Sequence, residues 1–79
     1  MDKKLIEIIG WYGVVALISA YGLVSFSFVK SNDLVYQILN LTGAIGVAVV
    51  SMSKKIYQPA VENIIWSIIA LIALIKILF

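Results

Sequence analysis

Three long apolar runs, separated only by short polar connectors, occupy almost the whole chain. They extend over residues 5–29, 34–52 and 60–79. A helix that crosses a bilayer needs about 20 predominantly apolar residues, and each run is close to that length or longer. Open sheet edges leave unpaired backbone groups in lipid, so helices are expected. The sequence therefore predicts an all-α integral membrane protein, in which residues 1–79 form a single transmembrane domain folded as a three-helix bundle.

Composition excludes several classes of protein. The 79 residues are 63% hydrophobic with a mean hydropathy of +1.11, which is more apolar surface than a soluble domain of this length can bury. A net charge of +2, with scattered lysines, predicts no nucleic-acid partner. Cysteine and histidine are absent from the sequence. Since no nucleophile–base pair or metal-ligand cluster is visible, we expect no enzymatic activity, no cofactor and no metal site.

The connectors contain residues that favour helix ends. Asp2 can cap the first helix, and Asn32 or Asp33 can cap the second. Pro59 suits the first turn of the third helix, where a missing N–H group costs nothing. Because both connectors are short, neighbouring helices are expected to run antiparallel.

The distribution of lysines predicts the orientation in the membrane. The side that holds the N-terminus and the second connector has four lysines, and the opposite side has two. The positive-inside rule predicts a multi-pass protein of the cell (inner) membrane with a cytoplasmic N-terminus and an outside C-terminus, and an inverted or dual topology is the alternative. The four lysines are Lys3, Lys4, Lys54 and Lys55, and the two are Lys30 and Lys76.

Small residues recur at helical spacing in the first two spans. In lipid, small residues allow close approach of helix backbones, so a packing seam is predicted. The alternative for Gly10 and Gly13 is that they make room for a ligand. The residues of the predicted seam are Gly10, Gly13, Ala16 and Ala20 in the first span and Gly43 and Gly46 in the second.

Polar side chains inside the spans are the candidates for function. Asn40 is about 9 Å from the outer end of its helix, where an amide has to find a partner in the protein or in a wet cavity. An interhelical hydrogen bond and a solute contact both satisfy that need. Asn63 and Trp66 lie one turn apart in the third span and are also candidate solute-binding residues.

Two glutamates lie near the predicted cytoplasmic boundary. Glu7 has Lys3 and Lys4 on its own helix, and Glu62 has the lysines of the second connector nearby. Salt bridges at the interface are the ordinary interpretation of such acids. Proton or ion handling by Glu62 is the functional alternative, because ionisable residues in membrane segments are commonly functional.

Three segments carry a resemblance to known proteins. They are residues 9–13 (Ile-Gly-Trp-Tyr-Gly), 36–46 (Tyr-Gln-x-x-Asn-x-x-Gly-Ala-x-Gly) and 63–66 (Asn-Ile-Ile-Trp). In these segments the chain resembles a family of small uncharacterised bacterial membrane proteins of similar length. The resemblance covers nearly the whole chain, and it implies three spans and no established activity.

A more distant similarity is to the SemiSWEET sugar transporters of the PQ-loop superfamily. Gly10, Pro59 and Asn63 fall where that family has a glycine early in helix one, a proline opening helix three and an asparagine a turn later. The resemblance implies a half-transporter that works as a parallel homodimer, with Asn63 lining the solute pocket. The Pro-Gln pair of helix one is absent, with Tyr21-Gly22 about where it would lie, and residues 47–52 lack the family's tryptophan.

These features together predict a small-solute transporter. Three helices enclose little room, so we expect a homodimer that carries a sugar-like or other small polar metabolite by alternating access. Asn63, Trp66 and Asn40 are the predicted solute-binding residues, with Glu62 near the cytoplasmic mouth. The alternative is a non-transporting structural or assembly subunit that packs against a larger membrane complex. Membrane lipids are expected partners in either case.

Overall fold

The computed structural model describes residues 2–30 and 33–79, which form three α-helices. Helix α1 is Lys3–Ser25, α2 is Leu34–Ser53 and α3 is Tyr57–Leu78. Each helix is long and apolar enough to cross a membrane. The predicted all-α architecture with three spanning helices is therefore confirmed.

Helix α2 is the central element of the fold. Both α1 and α3 pack against it, whereas no Cα atom of α1 comes within 8 Å of a Cα atom of α3 among the described residues. The described spanning segment of α2 is consequently 33% buried, against 17% in α1 and 11% in α3. The three helices form an open layer in which the spatial order equals the chain order.

The α1–α2 interface is formed by backbone atoms that lie almost in contact. A methyl group on Gly13 would lie 2.9 Å from the carbonyl oxygen of Gly43 and 3.0 Å from the amide nitrogen of Val47. A methyl group on Gly46 would lie 3.1 Å from the carbonyl oxygen of Ile9. Helices in lipid associate by such close packing rather than by hydrophobic exclusion. The buried residues of α1 are Gly13, Ala16 and Ala20.

The α2–α3 interface is also built from small residues. Since α2 is the only helix that α3 contacts within the described part of the chain, the buried residues of α3 lie in this interface, and they are Ala60, Asn63 and Ala70. Ala44 and Ala48 of α2 are 0% and 8% exposed. At about 100° per residue, they lie roughly 100–140° around α2 from Gly43, so α1 and α3 occupy different sides of the central helix.

An aspartate precedes both α1 and α2, but only the first one caps its helix through its side chain. Asp2 caps α1 as predicted, since its carboxylate accepts a hydrogen bond from the Lys4 amide at 3.3 Å. Asp33 precedes α2, but its carboxylate accepts a hydrogen bond from the Lys30 amide at 2.9 Å and closes the connector instead. The alternative cap, Asn32, lies outside the described residues.

Helix α1 ends at Ser25, four residues before the apolar run ends at Val29. Ser27 adopts a left-handed conformation with φ of 63°, and the Phe28 amide donates to the Leu23 carbonyl at 2.9 Å. This is a Schellman motif, which terminates the helix by pairing its last carbonyl groups. The apolar residues continue through the motif to Val29, so the helix is shorter than the apolar run predicts. A second motif of this kind ends α2, with Lys55 at φ of 60°.

Replacing Ser27 by glycine is expected to stabilise the protein by up to about 1 kcal/mol, because the roughly 1–2 kcal/mol steric cost of the left-handed conformation is removed and is only partly offset by the greater chain entropy of glycine. Thermal unfolding in detergent micelles measures the effect as a rise in Tm. The matched control is Ser25→Gly, which places glycine inside the last turn of α1 and should lower Tm. A Tm for Ser27→Gly at or below that of the wild type would contradict the role given to Ser27.

Candidate functional site: a polar cleft between α1 and α3

A cleft of about 430 Å³ lies over α2 between α1 and α3, and we call it the α1–α3 cleft. It exists because the outer helices are held apart by the central one. Its floor comes from the first two turns of α2, and its walls come from the second half of α1 and the middle of α3. The lining residues are Leu17, Tyr21, Tyr36, Asn40, Trp66 and Ile69.

Helical spacing explains why these side chains meet. Tyr36 and Asn40 are four residues apart and so share a face of α2. At about 100° per residue, Asn40 points between the direction of Gly43, which contacts α1, and that of Ala44, which is fully buried. The two polar side chains of α2 therefore face the gap between the outer helices.

The polar groups of the cleft have no partners within residues 2–30 and 33–79. The hydroxyl groups of Tyr21 and Tyr36, the amide of Asn40 and the indole N–H of Trp66 make no hydrogen bond there. None of these groups is fully buried, so each can form a hydrogen bond with water, lipid or a bound solute. Trp66 is 46% exposed and Tyr21 is 74% exposed, so both are accessible to such a partner.

Among the described residues, no charged side chain lines the α1–α3 cleft. Its chemistry is that of aromatic faces, two phenolic hydroxyl groups and one amide that can both donate and accept. Such a surface can stack against a ring and bond to hydroxyl groups, but it offers no charge to pair with an ion.

The structure places Asn63 outside this cleft. Its side chain is 5% exposed and lies between α3 and α2. The Asn63 Nδ2 donates to the Pro59 carbonyl at 2.8 Å, whereas Oδ1 has no partner among the described residues. Ser67 Oγ in turn donates to the Asn63 carbonyl at 2.7 Å. Of the three predicted solute-binding residues, the fold thus brings together Asn40 and Trp66 and leaves Asn63 inside a helix interface.

The two glutamates also lie outside the α1–α3 cleft. Glu62 lies on the exposed surface of α3, beside Trp66, and has no ion pair within the described part of the chain. Lys54, one of its expected partners, instead pairs with Glu7 at 3.3 Å across the α1–α2 interface. Both side chains of that pair are at least half exposed, so the pair contributes about 0–1 kcal/mol to stability.

Tyr21 and Tyr36 are not among the binding residues predicted from the sequence. Tyr36 could have been found, because its spacing of four residues from Asn40 places both on one face of a helix. Tyr21 carries no such local indication. It joins the cleft only because α1 and α3 pack on different sides of α2.

The three apolar helices indicate a small multi-pass membrane protein. A family model matches residues 6–79, and the chain belongs to that uncharacterised family. The match confirms the resemblance to a family of small uncharacterised proteins over nearly the whole chain. No curated protein matches the chain, and no solved structure does.

Proposed function

We propose that this protein transports a small, neutral, sugar-like solute as a homodimer, with the α1–α3 cleft as one half of the binding site. The observation that supports the proposal is the set of polar groups in the cleft that lack partners within the described residues. In a membrane these groups are retained at a cost, and a bound polar molecule would satisfy them.

The lining favours a particular class of solute. Aromatic faces at Tyr21, Tyr36 and Trp66 suit the apolar face of a ring, and the Asn40 amide suits adjacent hydroxyl groups. Since no charged side chain within residues 2–30 and 33–79 lines the cleft, a neutral solute is favoured over an ionic one. A pocket lined mainly by apolar and aromatic groups with a few polar ones is typical of small-molecule sites.

The homodimer follows from the open side of the cleft. A solute in a single chain would face lipid, whereas a second copy placed over the cleft by a two-fold axis would enclose it. Alternating access requires the walls of the site to move. Because α1 and α3 have no mutual interface among the described residues, their separation can change without loss of helix packing.

Two measurements on reconstituted protein test this proposal. Vesicles that contain the protein should take up a neutral radiolabelled sugar or polyol with saturable kinetics. The cysteine-free chain also allows clean cross-linking, in which Ile69→Cys at the cleft should join two copies and Ile45→Cys, on an exposed face of α2, should not. Lack of flux for every solute, together with co-purification in a larger complex, would instead favour the assembly subunit.

A further inference from the structure

Two further cavities lie at the end of the molecule where α1 begins and α2 ends. We call this end the lysine-rich end, and its lysines are Lys3, Lys4, Lys54 and Lys55. A groove of about 330 Å³ between α1 and α2 adjoins a pocket of about 490 Å³, and the two share Ile6, Glu7 and Lys54. The remaining lining residues are Gly10, Trp11, Val14 and Val50 for the groove and Lys3 and Ser53 for the pocket.

The groove is apolar and extends into the membrane-spanning part of the fold. Glycine at position 10 forms part of its wall, and a methyl group there would lie 3.3 Å from a Val50 side-chain carbon. The Trp11 side chain forms another part and is 67% exposed. From Glu7 to Val14 the groove follows α1 for about 10 Å.

The pocket differs from the groove in having two lysines and a serine beside Glu7, although most of its surface is also apolar. Lys3, Lys54, Ser53 and Glu7 are among the residues that line it, so two lysines face one glutamate there. The Lys54 ammonium carries three N–H groups, and within the described residues it makes one hydrogen bond, to Glu7. The first turn of α1 borders the pocket, and the positive end of its helix dipole favours an anion there.

We infer that the groove and the pocket together bind one phospholipid with an anionic headgroup. The phosphate lies against Lys3 and Lys54, and an acyl chain follows the groove past Gly10 and Trp11. Charge complementarity favours this occupant, because basic pockets between membrane helices bind anionic headgroups. The parts of a lipid also match the order of the two cavities. The anionic headgroup lies at the membrane boundary, as the pocket does, and the acyl chain extends inward, as the groove does. An apolar helix from another protein would fill the groove only.

Tryptophan quenching by brominated lipids tests this site, because the chain has two tryptophans in different places. In the Trp66→Phe variant, Trp11 is the only reporter, and vesicles of acyl-brominated phosphatidylglycerol should quench it more strongly than vesicles of the matching brominated phosphatidylcholine. In the Trp11→Phe variant, Trp66 should be quenched equally by both lipids.

Lysine variants then assign the preference to the pocket. Lys3→Gln with Lys54→Gln in the Trp66→Phe background should abolish the difference between the two lipids. The same two changes at the opposite end, Lys30→Gln and Lys76→Gln, should leave it intact. Equal quenching of Trp11 by both lipids would overturn the inference. The inference would also be overturned if both double variants lost the preference for phosphatidylglycerol equally, because the preference would then depend on the net charge of the protein alone.

Discussion

Replacing Gly13 by alanine is expected to lower the free energy of unfolding by about 1–3 kcal/mol, because the added methyl group overpacks a closely packed interface. The methyl carbon would lie 2.9 Å from the Gly43 carbonyl oxygen and 3.0 Å from the Val47 amide nitrogen. Both are backbone atoms, so they cannot rotate away as a side chain can. The strain is relieved only if α1 moves away from α2. Unfolding by heat or denaturant in detergent micelles measures the loss.

The matched control is Gly22→Ala in the same helix. Apart from its chain neighbours and the nearby backbone of α1, no atom of the described residues lies within 4 Å of the position that its methyl carbon would take. Alanine has a higher helix propensity than glycine, so this variant should gain up to about 1 kcal/mol. Two substitutions of the same type are thus expected to act in opposite directions. Equal effects of both would show that the α1–α2 contact at Gly13 does not determine stability.

Replacing Asn40 by leucine is expected to reduce saturable uptake of the solute about 5- to 100-fold at low concentration. Loss of one hydrogen-bond partner in a desolvated site costs about 1–3 kcal/mol, and 1.4 kcal/mol corresponds to a tenfold change. The size of leucine is close to that of asparagine, so the shape of the α1–α3 cleft is largely kept. Initial rates measured over a range of solute concentrations in reconstituted vesicles separate a higher KM from a lower maximal rate.

The control for this prediction is Ser19→Leu. Ser19 is exposed on α1, lies outside the lining of the cleft and undergoes the same change from a polar to an apolar side chain. Its uptake should match that of the wild type. The Asn40 variant should also keep the wild-type Tm, because Asn40 makes no hydrogen bond within the described residues. If the Asn40→Leu variant took up the solute at the wild-type rate, the proposed role of the α1–α3 cleft in transport would be wrong.

The helices were predictable from the sequence because their cause is local. Residues 34–52 are apolar over one bilayer thickness, and a backbone in lipid has few alternatives to a helix. The end of α1 was not predictable in this way. Ser27 leaves the helical conformation although Phe26 and Phe28 continue the apolar run, and hydropathy does not report a backbone angle.

The candidate site was predictable in part. Asn40 was identifiable because an amide inside a span is costly wherever its helix packs. Asn63 was selected on the same ground. The side of α3 that faces α2 is fixed only when the helices assemble, and Asn63 lies on that side. Tyr21 and Trp66 line the same cleft only because of the position of α1 relative to α3. Such relations depend on three helices at once, and no spacing within one helix encodes them.

The central position of α2 has a consequence for how the chain is made. Synthesis proceeds from the N-terminus, so α1 and α2 are complete while α3 is still being translated. The Gly13–Gly43 contact can then form as soon as α2 enters the bilayer, because it involves no residue of α3. Helix α3 later docks on a side of α2 that α1 leaves free. Both α2 and α3 therefore bind the helix made immediately before them, and neither has to wait in the membrane for a later segment.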